Sequence, residues 1–251
     1  MNEEQILKGR LIDLAKRAYQ QNIYTYSNFL SAPELSLLDD IKEEISFIHH
    51  ECFGGNELSE RQLVGFGSED EFGYTNPFPI QVIKITPIQE KFSDVLNHRD
   101  FLGALMHLGI ERDTLGDILT KEKTAYLFCL DSIAGYICQE LTKVKHTHVK
   151  CEMADMNIPA LTPSLVDEKF PVASLRLDGI IASLLKCSRS EALSLFTDKC
   201  VTLNGRVTGR NSIILKEGDV FSIRGHGKFI FEHSGGSTRK GKIYVHIKRY
   251  V

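Results

Sequence analysis

The sequence predicts an α+β protein in three parts: an N-terminal mixed α/β domain, a central split β-α-β domain and a small basic C-terminal domain. Three observations carry that expectation. From about residue 80 the pattern runs strand, helix, strand, strand, helix, strand. Residues 155–171, "DMNIPALTPSLVDEKFP", then bring three prolines and no periodicity, as a linker would. Finally, the charge is divided: residues 172–251 hold 14 Lys and Arg against 6 Asp and Glu, whereas 1–171 hold 16 against 27. The expected parts are therefore 1–75, 76–154, a linker at 155–171, and 172–251.

Residues 3–20 read as a helix with Ile6, Leu7, Ile12, Leu14 and Ala18 toward one side. A second helix is expected over 33–50, with Pro33 at a start position that tolerates it. The glycine-rich "CFGGNELSERQLVGFGSEDEFG" (52–73) predicts turns and short strands, or a mobile loop. "IQVIKITP" is a strand, and "NHRDFLGALMHLG" a helix with Leu102, Leu105 and Met106 inward. "GDILT" and "TAYLFCL" are strands, "SIAGYICQELTKV" a helix and "HTHVKCEMA" a final strand. This order is that of ferredoxin-like and RNA-recognition folds. Tyr126 and Phe128 would then be either core residues or a platform for stacked bases.

The basic end reads as two short helices followed by a small sheet. Ser188 and Glu191 have capping-box spacing, so the second helix should begin at Arg189. Asn204–Gly205 between apolar runs is a hairpin signal, and Gly218–Asp219 turns the chain into "VFSIR". A helix start attracts phosphate through its free N–H groups, and Lys186 and Arg189 bracket this one. An arginine fork can grip two phosphate oxygens. The RNA-binding candidates are Arg176, Lys186, Ser188, Arg189, Lys199, Asn204, Arg206, Arg210, Arg224 and Lys228.

Other chemistries find little support. No apolar run approaches the roughly 20 residues of a membrane span, and the N-terminus mixes acids and bases, unlike a secretory signal. Six scattered cysteines without a C-x-x-C pair predict reduced thiols in a cytoplasmic protein. His146 and His148 share a strand face without a recognisable third ligand, so no metal and no cofactor are expected. His98-Arg99-Asp100 matches the first residues of a kinase catalytic loop, but Leu105 stands where that loop needs asparagine. No catalytic residue is identifiable. A structural reading fits the signature better: Asp100 capping a helix from Phe101, Arg99 pairing with Asp117 or with RNA, and Gly103 allowing helix to pack closely on sheet.

"RLDGIIASLL…SRSEAL…VTLNGRV…LKEGDVFSIRGHGKF" resembles the alpha-L RNA-binding module, first described in a small-subunit ribosomal protein. The module is shared with pseudouridine synthases, a heat-shock protein that binds free large subunits, and some tRNA synthetases. The family's glycine at the end of the second helix is Lys199 here, which costs roughly 1 kcal/mol if left-handed. With "NHRDFLGALMHLGIERDTLGDIL" (97–119), nearly the whole chain is similar to the YlmH family of bacterial cytoplasmic proteins. That resemblance implies an N-terminal domain, a central domain like an RNA-recognition motif and the terminal module. It also implies partners: ribosomal RNA and tRNA on large subunits carrying peptidyl-tRNA, in rescue of stalled translation. Two alternatives stay open. One is an RNA-modifying enzyme of pseudouridine-synthase type, although a threonine and glycine do not follow Asp100. The other is an interaction protein of the division machinery whose acidic N-terminal body binds protein partners.

Overall fold

The computed structural model describes residues 2–56, 59–156, 165–239 and 241–250, and the chain divides into two compact units, Met1–Thr162 and Pro163–Val251. The first unit opens with α1 (Glu3–Gln21), whose buried face is Leu11, Ala15 and Ala18. Strand β1 (Thr25–Tyr26) follows, then two single turns of helix, α2 (Ala32–Leu35) and α3 (Leu37–Asp40). The continuous helix expected over 33–50 is not formed. Past Ile41 the backbone turns through mixed bonds, Glu44 N–H and Ile45 N–H both reaching Ile41 C=O. The apolar spacing nevertheless survives, because Ile41, Ile45 and Ile48 are buried against α1 residues and Phe66. Strands β2 (His50–Phe53) and β3 (Leu63–Phe66) join β1 in a sheet of order β1-β3-β2, before the short α4 (Glu69–Phe72).

The rest of this unit is β4 (Ile80–Pro87), α5 (His98–His107), β5 (Leu115–Lys121), β6 (Thr124–Leu130), α6 (Asp131–Glu140), β7 (Lys143–Val144) and β8 (Thr147–Ala154). The antiparallel sheet has the order β5-β6-β4-β8-β7. Alternation sends Ile83, Ile85, Leu127 and Val149 to one face, where Phe101 and Leu105 of α5 and Ala134 and Ile137 of α6 cover them. Met106, expected inward, is 45% exposed, because the stripe is set by the i, i+4 pair Phe101 and Leu105.

The opposite sheet face is half covered by the N-terminal segment. Phe29 and Leu63 bury Ile80, Val82, Tyr126 and Phe128 in one cluster, so residues on both sides of position 75 share a core. Glycines permit this approach. A Cβ on Gly55 would stand 2.2 Å from the Phe128 ring, and Gly55 has φ +101°, which only glycine takes easily. A Cβ on Gly116 would come within 2.7 Å of Phe29. Among the described residues of 52–73, β2 ends at Phe53, Gly55 lies against the sheet, and β3 and α4 follow.

Of the expected linker, residues 157–164 lie outside the described residues, and the chain from Leu165 is already a strand, β9 (Leu165–Val172). Its pairing along β14 (Ile243–Tyr250), from Leu165↔Tyr250 to Val172↔Ile243, could not be seen locally. Pro171 is tolerated because β9 is an edge strand. Helices α7 (Leu177–Leu184) and α8 (Arg189–Thr197) follow, then β10 (Val201–Leu203), β11 (Arg206–Val207), β12 (Val220–Ile223) and β13 (Gly227–Ser237). The sheet order is β11-β10-β12-β13-β14-β9, with the helices packed on Phe221, Ile223, Phe229 and Phe231.

Candidate nucleic-acid interface

Local chemistry builds the α7–α8 corner as the sequence requires. Ser188 Oγ accepts from Glu191 N–H at 3.2 Å while the Glu191 carboxylate accepts from Ser188 N–H at 2.7 Å, so α8 starts at Arg189. This spends the Ser188 side chain on the fold. Lys186, at the end of α7, is exposed with φ 52°. Lys199 ends α8 at φ 53°, so it adopts the left-handed conformation usually left to glycine.

Arg176 and Asp178 are the centre of the corner. The Arg176 fork donates from Nε to Asp178 Oδ1 at 3.0 Å and from Nη2 to Oδ2 at 2.9 Å. Asp178 is 2% exposed, whereas the Arg176 side chain is 41% exposed. A buried carboxylate therefore aims a guanidinium that solvent can reach. Burial alone would raise the Asp178 carboxyl, but the Arg176 fork, the Gly179 N–H and the charge of Arg189 carry it below the usual range. Arg189 lies across α7, its Nη2 3.8 Å from where a Gly179 Cβ would stand. Asp178 N–H donates to Asn211 C=O and Leu177 N–H to Ile213 C=O, which brings the loop of exposed Arg210 alongside Arg176. Thus Arg176, Arg189 and the Arg210 loop converge.

The remaining candidates divide. Arg224 N–H donates to Cys200 C=O, placing Arg224 beside Lys199 at the other end of α8. Arg206 is exposed on the β10–β11 hairpin. Lys228 stands apart on the sheet face away from the helices, in a row with Thr202 and Ser222, its ammonium 5.8 Å from the Tyr250 ring centroid. Asn204 is consumed by the turn: its Nδ2 donates to Asp219 and its Oδ1 accepts from Val220 N–H. Both Asn204 (φ 49°) and Gly205 (φ 79°) are left-handed, as the hairpin signal predicts.

In the first unit the central signature takes other roles than expected. The cap of α5 is Asn97, whose Oδ1 accepts from Arg99 and Asp100 N–H, and Asp100 accepts in return from Asn97 N–H. Asp100 also pairs with Lys145 at 2.7 Å. The helix starts at His98, three residues before the expected Phe101, because asparagine followed three residues later by aspartate is itself a capping box. Gly103 is exposed and a Cβ there would meet nothing within 4 Å, so it does not bring α5 closer to the sheet. His98 and Arg99 are exposed, and Arg99 shares an open groove with Lys143 and Lys145.

Asp117 does not pair with Arg99. Its carboxylate accepts the backbone N–H groups of Glu60 at 2.6 Å and Arg61 at 3.3 Å, pinning the covering segment to β5. Burial pushes this carboxyl from 3.8 up to about 6, against those two N–H groups that pull it down. A folded-state value above the unfolded one gives stability that is present below about pH 4 and lost as pH rises through about 6. The stability difference between wild type and Asp117→Asn should therefore move against wild type by roughly 2–3 kcal/mol from pH 4 to pH 7. Denaturant titrations at each pH would reveal it, and a constant difference would contradict the assignment.

Sequence reading missed Asp178 and Asn97 as the groups that set this geometry. The signals were present as an aspartate two residues after Arg176 at a helix start, and an asparagine three before Asp100.

Comparison with known proteins adds to this geometry. A family model described as "Putative RNA-binding domain in YlmH" matches residues 74–158. The ribosome-associated protein quality control protein P2 of Bacillus subtilis (strain 168) is 33% identical over 199 residues, which span 78% of this chain and 76% of that protein. The chain belongs to the YlmH family. The solved structure of the cell division protein ylmH from Streptococcus pneumoniae is alike in fold, with a TM-score of 0.51 and 17% identity over 62% of this chain and 93% of that one. The family model and the Bacillus relative carry names of RNA binding and ribosome association, not of enzymes. In this YlmH family member the matched stretch contains the central sheet, and there Tyr126 and Phe128 are 7% and 0% exposed beneath Phe29 and Leu63. Neither ring is open to a base, so both are core residues. Among the described residues, no helix is long and apolar enough to cross a membrane.

Proposed function

We propose that this chain is a non-enzymatic RNA-binding factor whose C-terminal unit grips the phosphates of structured ribosomal RNA or tRNA. In this reading residues 172–251 are an alpha-L RNA-binding module, and residues 76–154 are an RNA-recognition-like domain. The strand order β5-β6-β4-β8 about a β-α-β-β-α-β chain supports the second assignment. The observation that carries the functional reading is the corner where Asp178 aims Arg176 beside Arg189 and the Arg210 loop. Guanidinium forks at a capped helix start suit phosphate oxygens on a folded backbone, and contacts of that kind read shape more than sequence.

The name of the Bacillus relative supports placing the activity on the ribosome, in quality control. The occupant we favour is the large subunit carrying peptidyl-tRNA after translation has stalled. Sedimenting lysates from cells expressing tagged wild-type chain tests this. The chain should travel with free large subunits and more strongly when they retain peptidyl-tRNA. Its recovery only at the top of the gradient would sink the proposal.

A further inference from the structure

The covered half of the central sheet leaves the other half of the same face open, and that half is basic. Val82 and Phe128 lie under the N-terminal segment, and so face away from α5 and α6. By alternation Lys84 and Tyr126, Leu119 and Lys121, and the β8 residues His148, Lys150 and Glu152 point the same way. The register makes neighbours of them. Lys84 stands opposite Tyr126 on one side and Glu152 on the other, Lys150 opposite Thr86, Lys121 opposite Thr124, and His148 opposite Lys143. Lys121, Lys143, His148 and Lys150 are exposed, and Lys84 is half-buried. Against four lysines this half-face carries one described carboxylate, Glu152, which pairs with Lys150 at 2.7 Å. The pair is exposed on both sides, 63% and 52%, so it is held by little energy and a phosphate can compete with Glu152 for Lys150. Four lysines less one carboxylate leave the half-face net positive by three charges.

This concentration stands out in a stretch, 1–171, where acids outnumber bases 27 to 16. The row Lys121–Thr124–Thr86–Lys150 crosses four adjacent strands, β5, β6, β4 and β8, so the two lysines are roughly 14 Å apart at neighbouring-strand spacing. Ammonium groups separated by threonine hydroxyls on a flat surface suit a run of phosphates. With its aromatic rings sealed, the sheet has no stacking platform to offer here, and recognition would rest on backbone charge.

We propose that the open half-face, Lys84, Lys121, Lys143, His148 and Lys150, is a second RNA-docking surface that binds phosphates without base stacking. It rests on the RNA-binding reading above, and for the stretch 74–158, whose family model already carries an RNA-binding description, it names the face and the mode of contact.

The test measures binding of a ribosomal RNA fragment to the full chain at fixed salt. Lys121→Glu/Lys150→Glu is compared with Lys16→Glu/Lys42→Glu, which makes the same charge change at exposed lysines elsewhere in the unit. The half-face variant should lose about tenfold or more in affinity and reduce the salt slope by about 1.4, at roughly 0.7 per lost contact. The control should change less than twofold. Equal losses in both variants would overturn the proposal, as would unchanged RNA affinity accompanied by loss of a protein partner. Lys121→Gln/Lys150→Gln guards against misfolding and should show a smaller loss in the same direction. Arg189→Glu runs alongside: weakening by it alone removes only the second surface, whereas indifference to all variants removes the RNA-binding reading as well.

Discussion

Arg189→Glu is expected to weaken binding of structured RNA by about 10- to 100-fold, the loss of one charge-assisted contact at about 1.5–3 kcal/mol. Arg189 is exposed at the first turn of α8 and lies across Gly179 beside the Arg176–Asp178 pair. Reversal removes a fork and adds an anion where phosphate would approach. Arg176 is a poorer test although it sits closer to the centre. Removing it would leave Asp178 buried without its partner, and that kind of loss costs about 3–5 kcal/mol of stability. Since Arg189 also helps hold the Asp178 charge, Arg189→Gln separates the effects: it should bind several-fold more weakly while melting close to wild type. Filter binding and a thermal melt on each variant are sufficient.

Phe128→Ala is expected to cost the first unit about 3–5 kcal/mol, the usual penalty for truncating a fully buried phenylalanine. The side chain has no solvent exposure, and its ring lies 2.2 Å from the position a Gly55 Cβ would take, so the covering segment is seated directly on it. Glycine there cannot move inward to refill the space with side-chain atoms, which favours the upper end of that range. In a unit of this size the loss corresponds to a fall of roughly 10 °C or more in melting temperature. RNA binding through the second unit should persist below the transition. A variant that melts with wild type would mean that the N-terminal segment does not form a packed layer on the sheet.

The features legible in the sequence are those whose cause is local. The Ser188–Glu191 capping box and the Asn204–Gly205 hairpin each depend on residues a few positions apart. The strands of the central sheet followed from short apolar runs such as "TAYLFCL", whose residues Ala125–Cys129 are buried on both faces. What stayed hidden depends on long-range pairing. Tyr126 and Phe128 read equally well as core or as a stacking platform until Phe29 and Leu63 were found above them. The β9 strand was hidden by Pro171 and by the prolines at 159 and 163 before it, because its partner β14 lies at the far end of the chain. The helix expected over 33–50 failed for a different reason: its apolar spacing suits a helix, yet tertiary contacts bury Ile41, Ile45 and Ile48 from a run of turns. At the candidate site the cations were visible as a charge excess, but not their grouping. Asp178 looked like one acid among bases, and only its burial shows that it orients Arg176.

The affinity of the full-length wild-type chain for a structured ribosomal RNA fragment, titrated against salt, tests the central claim most directly. About five neutralised phosphates should make affinity fall by roughly 3.5 decades per tenfold rise in salt, with Arg189→Glu shallower by about 0.7. An affinity that stays level across the titration, or an identical slope in the variant, would contradict the account.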